Sequence, residues 1–162
     1  MIRTIHDFLD RWKEETEATL KIFGTLTDES LQVAIPGGRT LGRLANHIVE
    51  TVTELPSKLG LPIKEEFITY TTVQELITHY KKNSDQLVAA IISNWDDNNL
   101  EEEHNLYGDS WKNGFSLYVL LIHQTHHRGQ MTVLMRMAGL KVPGIYGPSK
   151  EEWEAWGKEA LA

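Results

Sequence analysis

No cysteine occurs among the 162 residues. That single absence removes disulfides, thiolate–metal sites and a cysteine nucleophile, and it fits a reducing compartment. Long apolar runs are missing too. Nothing approaches the ~20 consecutive apolar residues that a bilayer-spanning helix needs, and the longest run, near Phe115 to Ile122, is interrupted by Ser116. The N-terminus opens directly into an amphipathic pattern (Ile2, Ile5, Phe8, Leu9, Trp12) instead of the basic and then apolar stretch of a secretory signal. Positive charge is scarce: 16 basic against 23 acidic side chains leave a formal net charge of −7. No basic face stands out, so nucleic acid is not an expected partner. The short groups Lys81-Lys82 and Arg39/Arg43 read as solvated helix surface. A membrane is not an expected partner either, and the cytoplasm is the expected location.

What is present points to one helical domain spanning residues 1–162. Apolar residues make up 41% and charged residues 24%, a balance that supports a packed core and argues against disorder. Apolar side chains recur near the helical period. A first helix is predicted from about Thr4 to Phe23, burying Ile5, Phe8, Leu9, Trp12, Ala18, Leu20 and Ile22, with Gly24 as its stop. After the turn chemistry of Ile35-Pro36-Gly37-Gly38, Thr40 is the predicted N-cap of a second helix. That helix carries Leu41, Leu44, Ala45, Ile48, Val52 and Leu55 on one face and is ended by Pro56 and Gly60-Leu61-Pro62. Thr72 and Glu75 have the spacing of a capping box for a third helix reaching Ile92. The acidic, Asn-rich stretch Asp96 to His104 reads as a surface loop, and Glu66 to Tyr70 as an extended connection. A fourth helix runs from about Phe115 to Ala138 and stops at Gly139. Ser149 caps a short last helix with Trp153, Trp156 and Leu161 as its buried stripe. The fold class is therefore all-α: a four-helix bundle with a short C-terminal helix.

The chemistry lies in the histidines. His123 and His127 are four apart on the fourth helix, which puts both on one face, roughly 6 Å apart along the axis. The same stripe continues through Leu120, Gln130 and Leu134, so the pair sits at or beside the core. Two buried imidazoles without partners would leave ring nitrogens unsatisfied, and a shared metal ion removes that cost. The alternative has one ring in a hydrogen bond and the other in solvent. His47, between Leu44 and Ile48 on the second helix, could close a three-histidine face. Alone, it would read as a satisfied core residue. Such a face suits zinc, nickel or ferrous iron with open positions for water or substrate. His126 lies about 100° round the helix from His127 and cannot share that face. His6, His79 and His104 have no such company. The string His123-Gln124-Thr125-His126-His127 has the spacing of zinc peptidases, but Gln124 stands where the general-base glutamate is needed, so peptidase chemistry is excluded. Glu101 to His104 has a di-iron spacing but lacks a second copy.

The string His123-Gln124-Thr125-His126-His127-Arg128-Gly129-Gln130, followed by Leu134, Arg136 and Gly139, resembles the signature of the DinB-like family. The resemblance covers nearly the whole chain and implies an up-and-down four-helix bundle holding one divalent metal by three histidines. The matching residues are His47, within Gly42-Arg43-Leu44-Ala45-Asn46-His47-Ile48-Val49-Glu50, with His123 and His127. It also implies that Arg128 and Gln130 brace the metal helix, against the alternatives of a surface salt bridge and a core-edge amide. Members of the wider superfamily use the metal to activate a low-molecular-weight thiol such as bacillithiol, mycothiol or glutathione. Family members are often homodimers; Trp111, Trp153 and Trp156 would be contact residues, although buried core tryptophans are the simpler reading.

Three functions follow as expectations. The first is a metal-dependent thiol S-transferase acting on a small-molecule electrophile, with the sulfur arriving on a cosubstrate. The second is a metal-dependent hydrolase using bound water, with Glu50 or Glu54 as general base, unless both are simply exposed helix carboxylates. The third is a non-catalytic metal-stabilised binding or stress protein, whose structural site would need a fourth protein ligand.

Overall fold

The computed structural model describes residues 2–160. Its long elements are α1 (Ile5–Phe23), α2 (Leu41–Lys58), α3 (Val73–Asn94) and α4 (Asn113–Met137), followed by the short α5 (Lys150–Ala155). The expected helical bundle is the architecture found. Helices begin where local chemistry places them. The hydroxyls of Thr4, Thr40, Thr72 and Ser149 each accept a hydrogen bond from the backbone N–H three residues on. That satisfies one of the amides a helix start leaves unpaired. Asp7, Glu75 and Glu152 return the favour to the cap backbone and complete capping boxes on α1, α3 and α5.

Packing decides the arrangement. Helix α2 lies against α3 and α4, and α1 lies against the same two. The sequence neighbours α1 and α2 therefore face each other across the bundle. Phe8, Trp12, Phe23, Ile48, Leu76 and Leu117 are fully buried between the layers, each contributing about 1.5–3 kcal/mol through removal from water. The core is not wholly apolar. Tyr80 on α3 donates to Oε1 of Gln124, whose Nε2 donates to the Ile48 carbonyl and Thr51 Oγ1 on α2. Gln124 thus ties three helices together inside the core.

Three expectations are corrected. The Asp96–His104 stretch is not an unstructured loop: a 3-10 turn (Asp97–Glu101) leads into β1 (Glu103–Leu106), which pairs antiparallel with β2 (Asp109–Lys112). Its tip is Tyr107 at φ 54° and Gly108 at φ 93°, the two left-handed residues of a tight hairpin turn. Strands this short and polar carry no readable alternation. Pro56 does not end α2. It sits in the last turn, and the chain leaves the helix at Gly60, which has φ 80°. Finally, α5 buries no stripe. Trp156 is 59% exposed and Trp153 half-buried, and the helix is tethered by polar contacts of Glu151 with Arg136 and of Glu152 with Lys21. Leu161 lies outside the described residues.

The segment entering α2 is clamped. Ala34 bridges to Thr40, and the Leu41 amide donates to the Val33 carbonyl at 2.8 Å. Gly42 lets α2 approach so closely that a Cβ there would stand 2.9 Å from the Leu31 carbonyl oxygen. Among the described residues no helix is long and apolar enough to cross a membrane.

Candidate metal centre

The packing of α2 against α4 brings His47 to His123 and His127. One ring nitrogen from each lies within 4.8 Å of the others. The His47 ring centroid is 4.9 Å from that of His123 and 4.7 Å from that of His127. Nε2 of His123 and Nε2 of His127 face each other at 3.1 Å. Two nitrogens bound to one tetrahedral zinc would lie roughly 3.3 Å apart, so this spacing fits shared ligation with little movement.

Outer partners set the tautomers. Nδ1 of His127 donates to Oε1 of Gln130 at 2.7 Å, which leaves Nε2 unprotonated with its lone pair toward Nε2 of His123. Glu50 Oε2 lies 3.5 Å from Nδ1 of His47 and is itself held by Arg43 at 2.9 Å. Both rings thus have Nδ1 beside an acceptor, which leaves Nε2 as the nitrogen available to an ion, the arrangement common in metal-binding imidazoles. Glu50 is an orienting group here and is not free to act as a base. Nδ1 of His123 is buried with no hydrogen-bond partner among the described residues.

Burial also keeps these rings neutral. His123 is pushed down to about 4, first by desolvation and then by the neighbouring His127, His47 and His126. Desolvation lowers His47 and His127 as well, opposed in part by Glu50 and Gln130 respectively and assisted by Arg39. Neutral imidazoles are the form that binds metal. A stability consequence follows for metal-free protein. An unfolded chain takes up the His123 proton near 6.5, whereas the folded one holds it off to about 4. Between those values the unfolded state binds more protons, so stability falls as pH is lowered through that window. Thermal melts of chelator-stripped protein from about pH 7 to about pH 4 should show the loss, and His123→Gln should flatten it. Superimposable profiles for the two proteins would contradict it.

The cluster opens into a cleft of about 350 Å³ lined by His47, His123, Glu54, Leu120, Tyr107 and Trp111, among others. The last two come from the hairpin. Trp111 packs edge-on to Phe115, and the Tyr107 ring lies tilted against Trp111 with Lys58 over its own face. Tyr107 holds a left-handed backbone that costs a bulky side chain roughly 1–2 kcal/mol, an outlier placed at the cleft wall. Sequence reasoning named Glu54 but missed Tyr107 as a cleft residue, because nothing local announces which helix a hairpin will cover. A second cleft of about 580 Å³ meets the histidines from the other side, at His127 and His126, with Arg39 and Gln130 on its walls. His126, as expected, is outside the ligand group.

Arg128 is not a surface residue. It is buried, and its guanidinium donates to the Glu15 carboxylate, to Thr19 Oγ1 at 2.9 Å and to the Glu15 carbonyl at 3.3 Å. Tyr146 joins the same group, donating to Glu15 at 2.7 and 2.8 Å. The metal helix is thus locked to α1 one residue past His127. His6 pairs with Asp10, and His79 stacks on Tyr70; neither approaches the centre.

The DinB family matches residues 1–159. The uncharacterized protein YrdA of Bacillus subtilis (strain 168) is 44% identical over 164 residues, which cover 99% of this chain and 98% of that protein. A DinB-like protein of Bacillus cereus ATCC 10987 has a solved structure that superposes with a TM-score of 0.85 at 43% identity, covering 90% of this chain and all (100%) of that one. A DinB-like protein of Bacillus subtilis superposes at 0.70 with 15% identity, over 88% of this chain and 99% of that one; at that identity the likeness concerns the fold alone.

Proposed function

This chain belongs to the DinB family, and we propose that it is a metal-dependent enzyme that activates a low-molecular-weight thiol for transfer to a small electrophile. One observation carries the reading: three imidazoles have ligand atoms within 4.8 Å of one another, and two of them, His47 and His123, line a cleft large enough for a small molecule. The donor set is three histidines, and no fourth protein ligand joins it among the described residues. A structural zinc site is normally closed by four protein ligands, so this set suits a site with room for a reactant.

A divalent ion held by three neutral imidazoles keeps its full charge and makes a thiol or water brought to it far more acidic. The chain's own groups do the rest. His47, His123 and His127 offer Nε2 lone pairs, two of them aimed by Glu50 and Gln130. Tyr107, Trp111 and Leu120 give the cleft a largely aromatic and aliphatic wall. Glu54, which is paired with Lys58, lines the same cleft and is the carboxylate we assign to take the thiol proton, because Glu50 is engaged with His47 and Arg43 and does not line the cleft. In the transfer the S–H bond breaks, its proton passing to Glu54. The sulfur's electron pair forms a bond to the electrophilic carbon, and the leaving group departs with the electrons of the bond that breaks. The chain has no cysteine, so the sulfur must come from the cosubstrate.

The test is thiol consumption by metal-replete protein with an aryl halide as electrophile. Consumption that falls to background after chelation, and in His127→Ala, is the expected result. Metal-replete protein that consumes no thiol overturns the reading. Ester turnover without added thiol would instead assign Glu54 as the general base of a hydrolase.

A further inference from the structure

The three histidines do not open onto one space. His47 and His123 line the cleft under the hairpin, whereas His127 lines the cleft on the opposite side, together with His126. The two spaces differ in chemistry. The hairpin cleft is walled by aromatic and aliphatic side chains, and among the described residues its one lining carboxylate, Glu54, is already paired with Lys58. Among the described residues the opposite cleft is lined by no carboxylate, and its one permanent charge is the Arg39 guanidinium. On a chain of net charge −7, a cleft with positive charge and no acidic wall stands out.

Arg39 is also uncommitted. Among the described residues it makes no ion pair, while Arg43, one turn on, is tied to Glu50. It is exposed, yet the segment that carries it is held at both ends: Gly38 donates to the Ile35 carbonyl at 2.9 Å, Ala34 bridges to Thr40, and Thr40 caps α2. Gly37, at φ 72°, makes the turn that sets Arg39 over the cleft. A guanidinium presents a planar fork of donors that matches a carboxylate in two parallel hydrogen bonds. About 580 Å³ of space falls within the range of small-molecule sites, and Ile35, Leu44 and Val133 supply an apolar wall for the rest of the ligand.

We propose that this second cleft is a carboxylate-recognising subsite for the thiol, with Arg39 as the specificity-determining residue. It rests on the thiol-activating reading given above. The thiol's anionic end is held by Arg39 while its sulfur reaches the histidine face beside His127. The apolar electrophile enters from the Tyr107/Trp111 side, against the aromatic and aliphatic wall. The two reactants then meet at the histidines from opposite directions. The preferred cosubstrate is a thiol carrying a free carboxylate, in preference to a neutral one.

The experiment is calorimetric titration of metal-replete protein, without electrophile, by N-acetylcysteine and by its neutral amide, N-acetylcysteinamide. The two differ only in the carboxylate. Wild-type protein should bind the acid at least about tenfold more tightly, the effect of one charged hydrogen-bonded pair. Arg39→Gln should remove the difference, and Arg39→Lys should retain part of it. Arg3→Gln, at an arginine in another region of the surface that makes no ion pair among the described residues, should keep it in full. Equal binding of the two thiols by wild-type protein overturns the subsite while leaving thiol activation standing. A preference that survives Arg39→Gln, or is lost equally in Arg3→Gln, also overturns it. If neither thiol binds, the thiol-activating reading fails and takes the subsite with it.

Discussion

Untagged protein should carry about one equivalent of divalent metal, and His47→Ala, His123→Ala and His127→Ala should each carry almost none. The expectation rests on the small ligand set. With three protein nitrogens, removal of any one leaves two, and two imidazoles do not hold an ion through dialysis as three do. The outer partners should give a graded series beneath that. Gln130→Ala frees Nδ1 of His127 from its 2.7 Å contact, so the ring no longer has a fixed tautomer or orientation. Such losses typically cost about 10–100-fold in affinity. Glu50→Gln should fall in the same range, because it weakens the acceptor beside Nδ1 of His47. Elemental analysis gives the stoichiometry, and competition with a chromogenic chelator gives the affinities. Metal retained in full by His47→Ala would show that His123 and His127 bind without it, and would remove α2 from the site. Absence of stoichiometric metal from the wild-type protein, even after reconstitution, would reduce the cluster to core packing.

The largest stability effect is expected at a residue that touches no metal. Glu15→Ala should destabilise the protein by about 3–5 kcal/mol, because it leaves the Arg128 cation without its counter-charge. The Arg128 side chain is only 3% exposed and that of Glu15 12%, so the guanidinium loses its counter-charge in a largely desolvated position. Tyr146, which donates to both Glu15 oxygens, loses its acceptor in the same substitution. For a chain of this size the loss corresponds to a fall in Tm of roughly 6–20 °C. Replacing both members together, as Glu15→Leu with Arg128→Met, should recover much of it, because a packed apolar pair carries no uncompensated charge. Urea and thermal unfolding of the two single variants and the double variant measure the cycle. A loss of less than about 1 kcal/mol in Glu15→Ala would mean the pair behaves as a solvated surface bridge.

These two predictions concern residues with very different visibility in the sequence. His123 and His127 announce themselves through a four-residue spacing that puts them on one helix face. Glu15 and Arg128 are 113 positions apart, and nothing around either marks it as buried. The alternative of a surface salt bridge for Arg128 was reasonable for an arginine on an amphipathic helix, and the contact of α1 with α4 is what rules it out. Gln124 shows the same division. Its identity alone excluded a peptidase base, but only the packing of α2, α3 and α4 reveals its use as a core connector.

By itself the amino-acid order determined the helices, their threonine and serine caps, the glycine stops and the face shared by His123 and His127. Each of these depends on groups three or four residues apart, where backbone geometry alone sets the distance. Tertiary structure alone decided that α1 and α2 stand across the bundle from each other, and that a polar stretch pairs into a hairpin bringing Tyr107 and Trp111 to the histidines. It also decided that Arg39 overlooks a cleft and that Arg128 is buried against Glu15. Those outcomes depend on which surfaces meet after the helices form. Contacts between residues far apart in the chain are selected by the packing of the whole core, and no local pattern encodes them.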